Sequence, residues 1–217
     1  MDFYWVKTNR FIKRLFSNYV WEIPNAENKI YLTFDDGPTP QITEWVLQEL
    51  EKYKAKATFF CIGNNIEKHP QIFEKVIANG HTVGNHTFDH LNGWKTSTAK
   101  YLENSIQCSA ISGQSANHKQ QTTNNKLFRP PYGKIKSSQA KKLRELGYKI
   151  IMWDVLSADF DTSISAEKCT ENVLKNTKSG SIIVFHDSVK GFPRLEYTLP
   201  KVLEILTKKG FVFEKLT

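Results

Sequence analysis

Short apolar segments alternate with amphipathic segments along most of the chain, and this alternation predicts a β/α fold. Lys29–Phe34 and Ala57–Cys61 are almost continuously apolar, which is typical of strands buried on both faces. Residues 41–53 instead repeat apolar positions at the spacing of one helical face. The other predicted strands are 82–83, 126–128, 149–153, 181–185 and 211–213, and the other helices are 66–78, 97–110, 136–146, 165–177 and 195–208.

Seven such strands, each next to a helix, predict a single α/β domain with a parallel sheet that is closed or nearly closed into a barrel. A doubly wound open sheet is the alternative. A length of 217 residues suits one large domain. Residues 112–125, which are rich in Ser, Gln, Asn and Thr, predict a mobile loop.

The N-terminal residues 1–20 predict a basic amphipathic helix, so we divide the chain into an N-terminal extension (1–28) and the main domain (29–217). This helix either contacts a membrane interface or covers one end of the barrel. We favour the second arrangement and expect Phe11 and Leu15 to pack against the barrel. No stretch resembles a secretory signal or a transmembrane span, so we expect a cytoplasmic protein, with peripheral membrane contact as the alternative.

Charge and cysteine content limit the classes of binding partner and the disulfides that the chain can be expected to have. The net charge is +8, but the lysines are scattered and no arginine–aromatic cluster marks a nucleic-acid interface. We therefore expect no nucleic-acid partner. Separately, we expect a monomer. The three cysteines are an odd number without CxxC spacing, which predicts buried or free thiols in a reducing compartment rather than a disulfide framework.

Polar residues that can carry chemistry follow the predicted strands in phase. Active sites of β/α proteins gather at the carboxyl ends of their strands, so these side chains are expected to meet. They are Asp35-Asp36 after the first strand, His86 and His90 after the third, Arg129 after the fourth, Asp154 and Asp159 after the fifth, and His186-Asp187 after the sixth.

Two imidazoles and a carboxylate form a three-ligand metal site that leaves a position open for water. His86 and His90 supply the imidazoles, and Gly84-Asn85 before them favours a loop over a helix. The adjacent Asp35 and Asp36 can divide the work, one binding metal and the other accepting a proton, although one of them can instead cap the next helix. His186 is either a core-edge residue or a general acid.

Five segments in this order resemble the signature motifs of the polysaccharide deacetylases, the NodB-homology group or carbohydrate esterase family 4. The likeness covers about residues 29–215. The segments are Thr33–Pro38 (TFDDGP), His86–His90 (HTFDH), Arg129–Tyr132 (RPPY), Trp153–Phe160 and Val184–His186.

The resemblance implies a distorted (β/α)₇ barrel that hydrolyses N- or O-acetyl groups of a glycan with one divalent ion, most commonly Zn²⁺, with Co²⁺, Ni²⁺ or Mn²⁺ as alternatives. It makes Asp35 the general base and His186 the general acid. Arg129 and Asp159 would orient these two groups, in a pairing that stays open. The remaining implied roles are metal binding by Asp36, His86 and His90, and oxyanion binding by the backbone N–H of Tyr132.

The chain departs from the family pattern at two apolar positions. Phe160 stands where tryptophan is usual, and Val184 where leucine is usual. Together with Pro131 and Tyr132 they are expected to line the substrate groove, so the departures affect substrate fit rather than the chemistry. Two other functions share parts of the pattern: an iron oxygenase with a two-histidine, one-carboxylate site, and a carbohydrate-binding protein without activity.

Overall fold

The computed structural model describes residues 4–113 and 126–217, which form one parallel β-sheet wrapped by helices. The strands are β1 (Lys29–Asp35), β2 (Ala57–Cys61), β3 (Thr82–Asn85), β4 (Lys126–Phe128), β5 (Tyr148–Ile150), β6 (Val155–Leu156), β7 (Ile182–His186) and β8 (Val212–Phe213). The helices are α1 (Arg10–Leu15), α2 (Ile42–Lys52), α3 (Gly63–Lys68), α4 (Pro70–Ala78), α5 (Thr98–Ser112), α6 (Ser137–Glu145), α7 (Ala166–Asn176) and α8 (Phe192–Lys208).

The sheet has the strand order β5-β4-β3-β2-β1-β7-β6, and β8 pairs with the start of β1. Every pair is parallel, and β1 lies at the centre with Asp35 opposite His186 of β7 and Phe60 of β2. This arrangement confirms the predicted distorted (β/α)₇ barrel and excludes the doubly wound alternative. Because the strands run in one direction, their carboxyl ends form a single rim.

Alternation along β1 divides the interior in two. Successive side chains of a strand point to opposite faces. Ile30, Leu32 and Phe34 join the large cluster between the sheet and the helices. Tyr31 belongs to a second cluster with Phe60, Leu127, Ile151 and Ile182. Thr33 and Asp35 share the face of Tyr31, so polar groups of the inner face lead directly to the rim.

The N-terminal segment lies against the connection between β5 and β6. These two strands are the edge strands of the sheet. Val20 pairs with Ile151 and Lys7 with Val155. Within residues 4–20 only Arg10–Leu15 is helical, so the predicted helix over residues 1–20 is wrong: on either side of α1, Val6, Thr8 and Val20 form backbone hydrogen bonds with residues 150–156 instead. The expectation for the helix side chains is wrong as well, since Phe11 is 70% and Leu15 62% exposed.

The largest remaining differences from the predictions concern three elements. The helix expected over residues 66–78 is two helices, because His69 leaves the helical region before Pro70 begins α4. The strand expected over 149–153 ends at Ile150, and β6 follows as a separate strand. The last helix begins at Phe192, three residues before the predicted 195. The loop predicted over residues 112–125 falls almost entirely outside the described residues, apart from Ser112 at the end of α5 and Gly113.

Two chain-wide expectations can be checked on the described residues. None of their helices combines the length and the apolar character that a membrane span needs. Cys61, Cys108 and Cys169 are buried and free, as their odd number predicted.

Candidate active site

Asp36, His86 and His90 converge at the rim of the barrel. Nε2 of His90 lies 3.2 Å and Nε2 of His86 3.6 Å from Oδ1 of Asp36. One ligand atom from each residue lies within 4.8 Å of the others, and within residues 4–113 and 126–217 no other histidine, cysteine or acidic residues gather in this way.

Left-handed backbone turns direct the ligands to this point. The φ angle is 81° at Asp36, 63° at Thr87 and 55° at His90. Such angles are uncommon outside glycine and costly for a β-branched residue, and they are found where function fixes the backbone. Residues 86–92 are not helical, as Gly84-Asn85 predicted. A hydrogen bond of 2.7 Å from Nδ2 of Asn65 to the Asp36 carbonyl holds the first turn.

These donor atoms fit a divalent cation. Oδ1 of Asp36 is buried and lacks a hydrogen-bond partner among the described residues, although two imidazoles face it. Burial lowers the pKa of His86 to about 4, so this ring is neutral at pH 7. Nδ1 of His86 lies 2.8 Å from the carbonyl oxygen of Arg129, and the tautomer that donates there leaves Nε2 free to bind metal. Burial alone would raise the pKa of Asp36, but His90 and the neighbouring imidazoles lower it overall.

Asp35 ends β1 beside the metal ligands and is paired with Arg129. Nη1 of Arg129 donates to Oδ1 of Asp35 at 2.7 Å and to Oγ1 of Thr33 at 2.6 Å. Nη2 donates to the carbonyl of Met152 at 3.0 Å, and the guanidinium lies 4.1 Å from the centre of the Phe60 ring. Arg129 is fully buried, so its charge requires the carboxylate partner. The partner of Arg129, which the sequence left open, is therefore Asp35.

His186 ends β7 and is held by Asp159. Oδ1 of Asp159 lies 2.7 Å from Nδ1 of His186, and Oδ2 accepts the backbone N–H of the same histidine at 2.8 Å. Burial would lower the pKa of His186, but the carboxylate of Asp159 outweighs it and raises the pKa to about 9. His186 is therefore protonated at neutral pH and can donate a proton.

Tyr132 lies next to His90 in the turn Pro131–Gly133. Its ring centre is 4.5 Å from that of His90, and its hydroxyl lies 3.1 Å from Nδ1 of His90. Its φ is 59°, another left-handed angle at the rim. The turn packs closely, since a Cβ on Gly133 would come within 2.7 Å of the Trp153 ring. The oxyanion role of the Tyr132 backbone N–H stays a prediction.

The expected groove residues are placed in different ways. Phe160 lies against the acid, with its ring centre 5.2 Å from that of His186. Tyr132 is 60% exposed, whereas Pro131 and Val184 are buried in their turn and strand. Their contact with substrate stays a prediction.

Asp187 supports the site, although no role was predicted for it from the sequence. It is fully buried; Oδ1 accepts the backbone N–H of Gly37 at 3.1 Å, and Oδ2 accepts the hydroxyl of Thr43 at 2.5 Å. A Cβ on Gly37 would come within 2.1 Å of Oδ2, so glycine allows this approach. Burial, reinforced by the charge of Asp36, raises the pKa of Asp187 to about 8. An acidic residue directly after His186 was the available signal.

Asp154 belongs to the fold rather than to the site, although it follows a predicted strand like the others. Its fully buried carboxylate pairs with Lys7 at 2.5 Å and with Lys13, and Ser181 donates to it at 2.6 Å. Both lysines come from the N-terminal segment. Asp154 therefore fastens that segment to the barrel.

Comparisons with known proteins identify relatives of this arrangement. The sequence profile of the family described as "Polysaccharide deacetylase" matches residues 22–151. The peptidoglycan-N-acetylglucosamine deacetylase of Bacillus cereus is 38% identical over 194 residues, covering 89% of this chain and 88% of that protein. The chitooligosaccharide deacetylase of Azorhizobium caulinodans is 33% identical over 170 residues, covering 76% of each chain.

Comparison with a solved structure shows agreement in both fold and sequence. The crystal structure of the Bc1960 peptidoglycan N-acetylglucosamine deacetylase matches with a TM-score of 0.84 and 34% identity. The match covers 92% of this chain and 91% of that protein.

Proposed function

The chain belongs to the polysaccharide deacetylase family, and from that premise we propose that it removes acetyl groups from the N-acetylglucosamine residues of peptidoglycan. Membership confirms the resemblance carried by the five motifs, and the chain is a metal-dependent deacetylase. Membership in this family, together with the fold, is inconsistent with the alternative interpretation of the ligands as the site of an iron oxygenase. The observation that carries the proposal is a complete set of metal ligands, base and acid on one rim.

Two features favour peptidoglycan over a neutral glycan. Relatives that act on peptidoglycan N-acetylglucosamine match over most of the chain, at 38% and 35% identity. The net charge of +8 also suits a polymer that carries carboxylates.

We assign Zn²⁺ to Asp36, His86 and His90, because two imidazoles and one carboxylate with an open position are typical of catalytic zinc. The bound ion would acidify a water molecule and polarise the acetyl carbonyl.

The protein groups divide the proton transfers. Arg129 holds Oδ1 of Asp35, so the second oxygen of that carboxylate takes the proton from the attacking water. The backbone N–H of Tyr132 donates to the developing oxyanion, an interaction worth about 3–4 kcal/mol in other hydrolases. His186, with Nδ1 held by Asp159, gives the proton on Nε2 to the leaving amine nitrogen.

Acetate release tests this function. The purified chain is stripped with a chelator and assayed on peptidoglycan, chitooligosaccharides and acetylated xylan, with Zn²⁺, Co²⁺, Ni²⁺ or Mn²⁺ restored singly. We expect the highest kcat/KM on peptidoglycan and full recovery with Zn²⁺. Full activity in a sample that elemental analysis shows to be metal-free would contradict the metal assignment, and a clear preference for another glycan would contradict the substrate.

A buried histidine outside the site provides the control. His81 and His86 are both 2% exposed, but His81 accepts the backbone N–H of Ala57 and lies away from the metal ligands. His86→Ala should lose bound metal and acetate release. His81→Gln should keep both, so that a general effect of losing a buried imidazole is separated from loss of the ligand.

A further inference from the structure

An exposed tryptophan stands on the loop that supplies a metal ligand. Trp94 follows His90 by four residues and is 62% exposed. Four residues of extended chain reach at most about 14 Å, so Trp94 lies within a few sugar units of the site. The neighbouring loop carries Tyr132 and, two residues later, Lys134. Both loops thus provide one residue at the metal site and one further along the surface.

The Trp94 ring is fixed in place. Its Nε1 donates to the carbonyl of Ile135 at 3.2 Å, and Nζ of Lys134 lies over the ring, 5.7 Å from its centre. The two loops are joined by a hydrogen bond of 3.1 Å from the backbone N–H of Gly93 to the carbonyl of Lys134. A Cβ at Gly93 would come within 2.4 Å of that carbonyl, so only glycine permits this approach. The Trp94 ring is thus held at its edge by Ile135 and contacted on one face by Lys134. Because it is nevertheless mostly exposed, its other face is open to solvent.

The charges beside this ring are unbalanced. Among the described residues, neither Lys95 nor Lys134 forms an ion pair, whereas surface lysines such as Lys168, Lys175 and Lys208 pair with glutamates. Lys136 differs as well, because its ammonium donates to the carbonyl of Thr96. Lys134, whose ammonium lies over the ring, and the exposed Lys95, which directly follows Trp94, therefore offer two cations without a carboxylate partner among the described residues.

We propose that Trp94, Lys95 and Lys134 form a subsite for a sugar residue that bears a carboxylate, close to the residue that loses its acetyl group. The apolar face of a pyranose ring stacks on the indole, and the carboxylate pairs with the two ammonium groups. A neutral polymer offers the same stacking but no partner for the lysines. This inference rests on the proposed function and refines it, because it makes the acidic sugar of the polymer part of what is recognised.

The test compares one glycan in charged and neutral form. Peptide-free peptidoglycan strands carry free lactyl carboxylates, and methyl esterification of the same strands removes the charge without changing length or acetylation. The wild-type chain should have a KM several-fold lower on the charged strands, with a similar kcat. Raising the salt concentration should reduce this difference, because exposed charges are screened over about 10 Å at 0.1 M.

Variants assign the effect to the subsite. Trp94→Ala and Lys134→Ala should each raise KM on the charged strands by about 5–30-fold, the size of effect of removing one important interface residue, while kcat changes less than about twofold. Lys134→Arg should restore most of the loss. Lys201→Ala is the matched control, because Nζ of Lys201 also lies over an aromatic ring, 3.7 Å from the centre of Tyr197, but on α8. That variant should behave like the wild type.

The outcomes separate this inference from the proposed function. Equal KM on charged and esterified strands, with Lys134→Ala unchanged, overturns the subsite while deacetylation stands. A fall in kcat rather than a rise in KM in Trp94→Ala also overturns it, because the residue would then act on the chemistry. Absence of acetate release from every glycan by the metal-loaded wild type overturns the proposed function, and the subsite with it.

Discussion

Asp159 holds His186 through both of its carboxylate oxygens, one at 2.7 Å from Nδ1 of the ring and the other at 2.8 Å from the backbone nitrogen. The first contact fixes which ring nitrogen faces the site, and the second fixes the end of β7. Asp159 therefore restrains both the side-chain torsions of His186 and the position of its backbone. The same carboxylate raises the pKa of His186 to about 9, so orientation and protonation of the acid depend on one residue.

Asp159→Asn should move the alkaline limb of the pH profile. Without the negative charge, burial is the dominant influence and the pKa of His186 falls. The protonated fraction that can act as acid is then lost at lower pH, and the limb of kcat against pH should move down by about one to three units. The control is Asp161→Asn, which removes a nearby carboxylate that bonds to Tyr4 and Ser163 instead. An alkaline limb that stays in place would show that Asp159 does not set this pKa.

Neighbouring aspartates should fail in different ways. Asp35→Asn keeps the metal ligands intact and should retain stoichiometric metal, while turnover falls by about 10²–10⁴-fold for loss of a general base. Asp36→Ala removes the carboxylate ligand, so metal affinity itself should fall. Metal content by elemental analysis and kcat with saturating metal separate the two variants. Equal metal retention by both would mean that the assigned division between base and ligand is wrong.

Apart from Asp154, the sequence predicted which residues meet at the site, but not which residues bond to each other. Positions directly after apolar strands share one rim because the sheet is parallel, so Asp36, His86 and His90 could be grouped from local patterns alone. Arg129 and Asp35 are 94 positions apart, and their pairing depends on how deeply the arginine enters the barrel. No local pattern contains that information.

The N-terminal segment shows even more clearly that local patterns do not reveal long-range contacts. Its apolar residues have helical spacing, which favoured a long helix, but its backbone bonds to the connection between β5 and β6. The decisive partner is Asp154, which lies 147 positions from Lys7 and 141 from Lys13. Tertiary pairing over such separations overrides helix propensity.

Removing both lysines that pair with Asp154 should destabilise the fold. Lys7→Met with Lys13→Met leaves a fully buried carboxylate without a cation, which costs about 3–5 kcal/mol in the free energy of unfolding. Adding Asp154→Asn should recover part of the loss, because the uncompensated charge is gone. Chemical denaturation measures both effects, with Arg14→Met, an exposed neighbour, as the control. An unchanged midpoint in the double variant would contradict the fastening role.

The ion pairs also predict a pH dependence. Burial alone would raise the pKa of Asp154, but Lys13 and Lys7 lower it overall. A folded-state pKa below the unfolded value gives a contribution that is complete above the unfolded pKa and is lost as the pH falls through the folded one. The difference in stability between the wild type and the double variant should therefore be largest near neutral pH and should shrink in acid.

The exposed face of α1 should bind anionic membranes. Phe11 and Leu15 are one helical turn apart, so they lie side by side, and they are 70% and 62% exposed. Arg10 and Arg14 belong to the same short helix and have the same spacing, and each basic residue near an anionic surface contributes about 1 kcal/mol. Large exposed apolar side chains flanked by cations are the features of an interfacial contact.

Co-sedimentation with vesicles of anionic lipid measures this contact. The wild-type chain should bind, and the bound fraction should fall with added salt and with zwitterionic lipid because the arginines contribute through their charge. Phe11→Ser with Leu15→Ser should abolish binding without changing acetate release, since neither side chain lies at the active site. Ile106→Ser removes another exposed apolar residue, on α5 and 52% exposed, and should leave binding intact. If the wild-type chain stays in the supernatant at low salt, the exposed face of α1 is not a membrane surface, and its apolar residues require another partner.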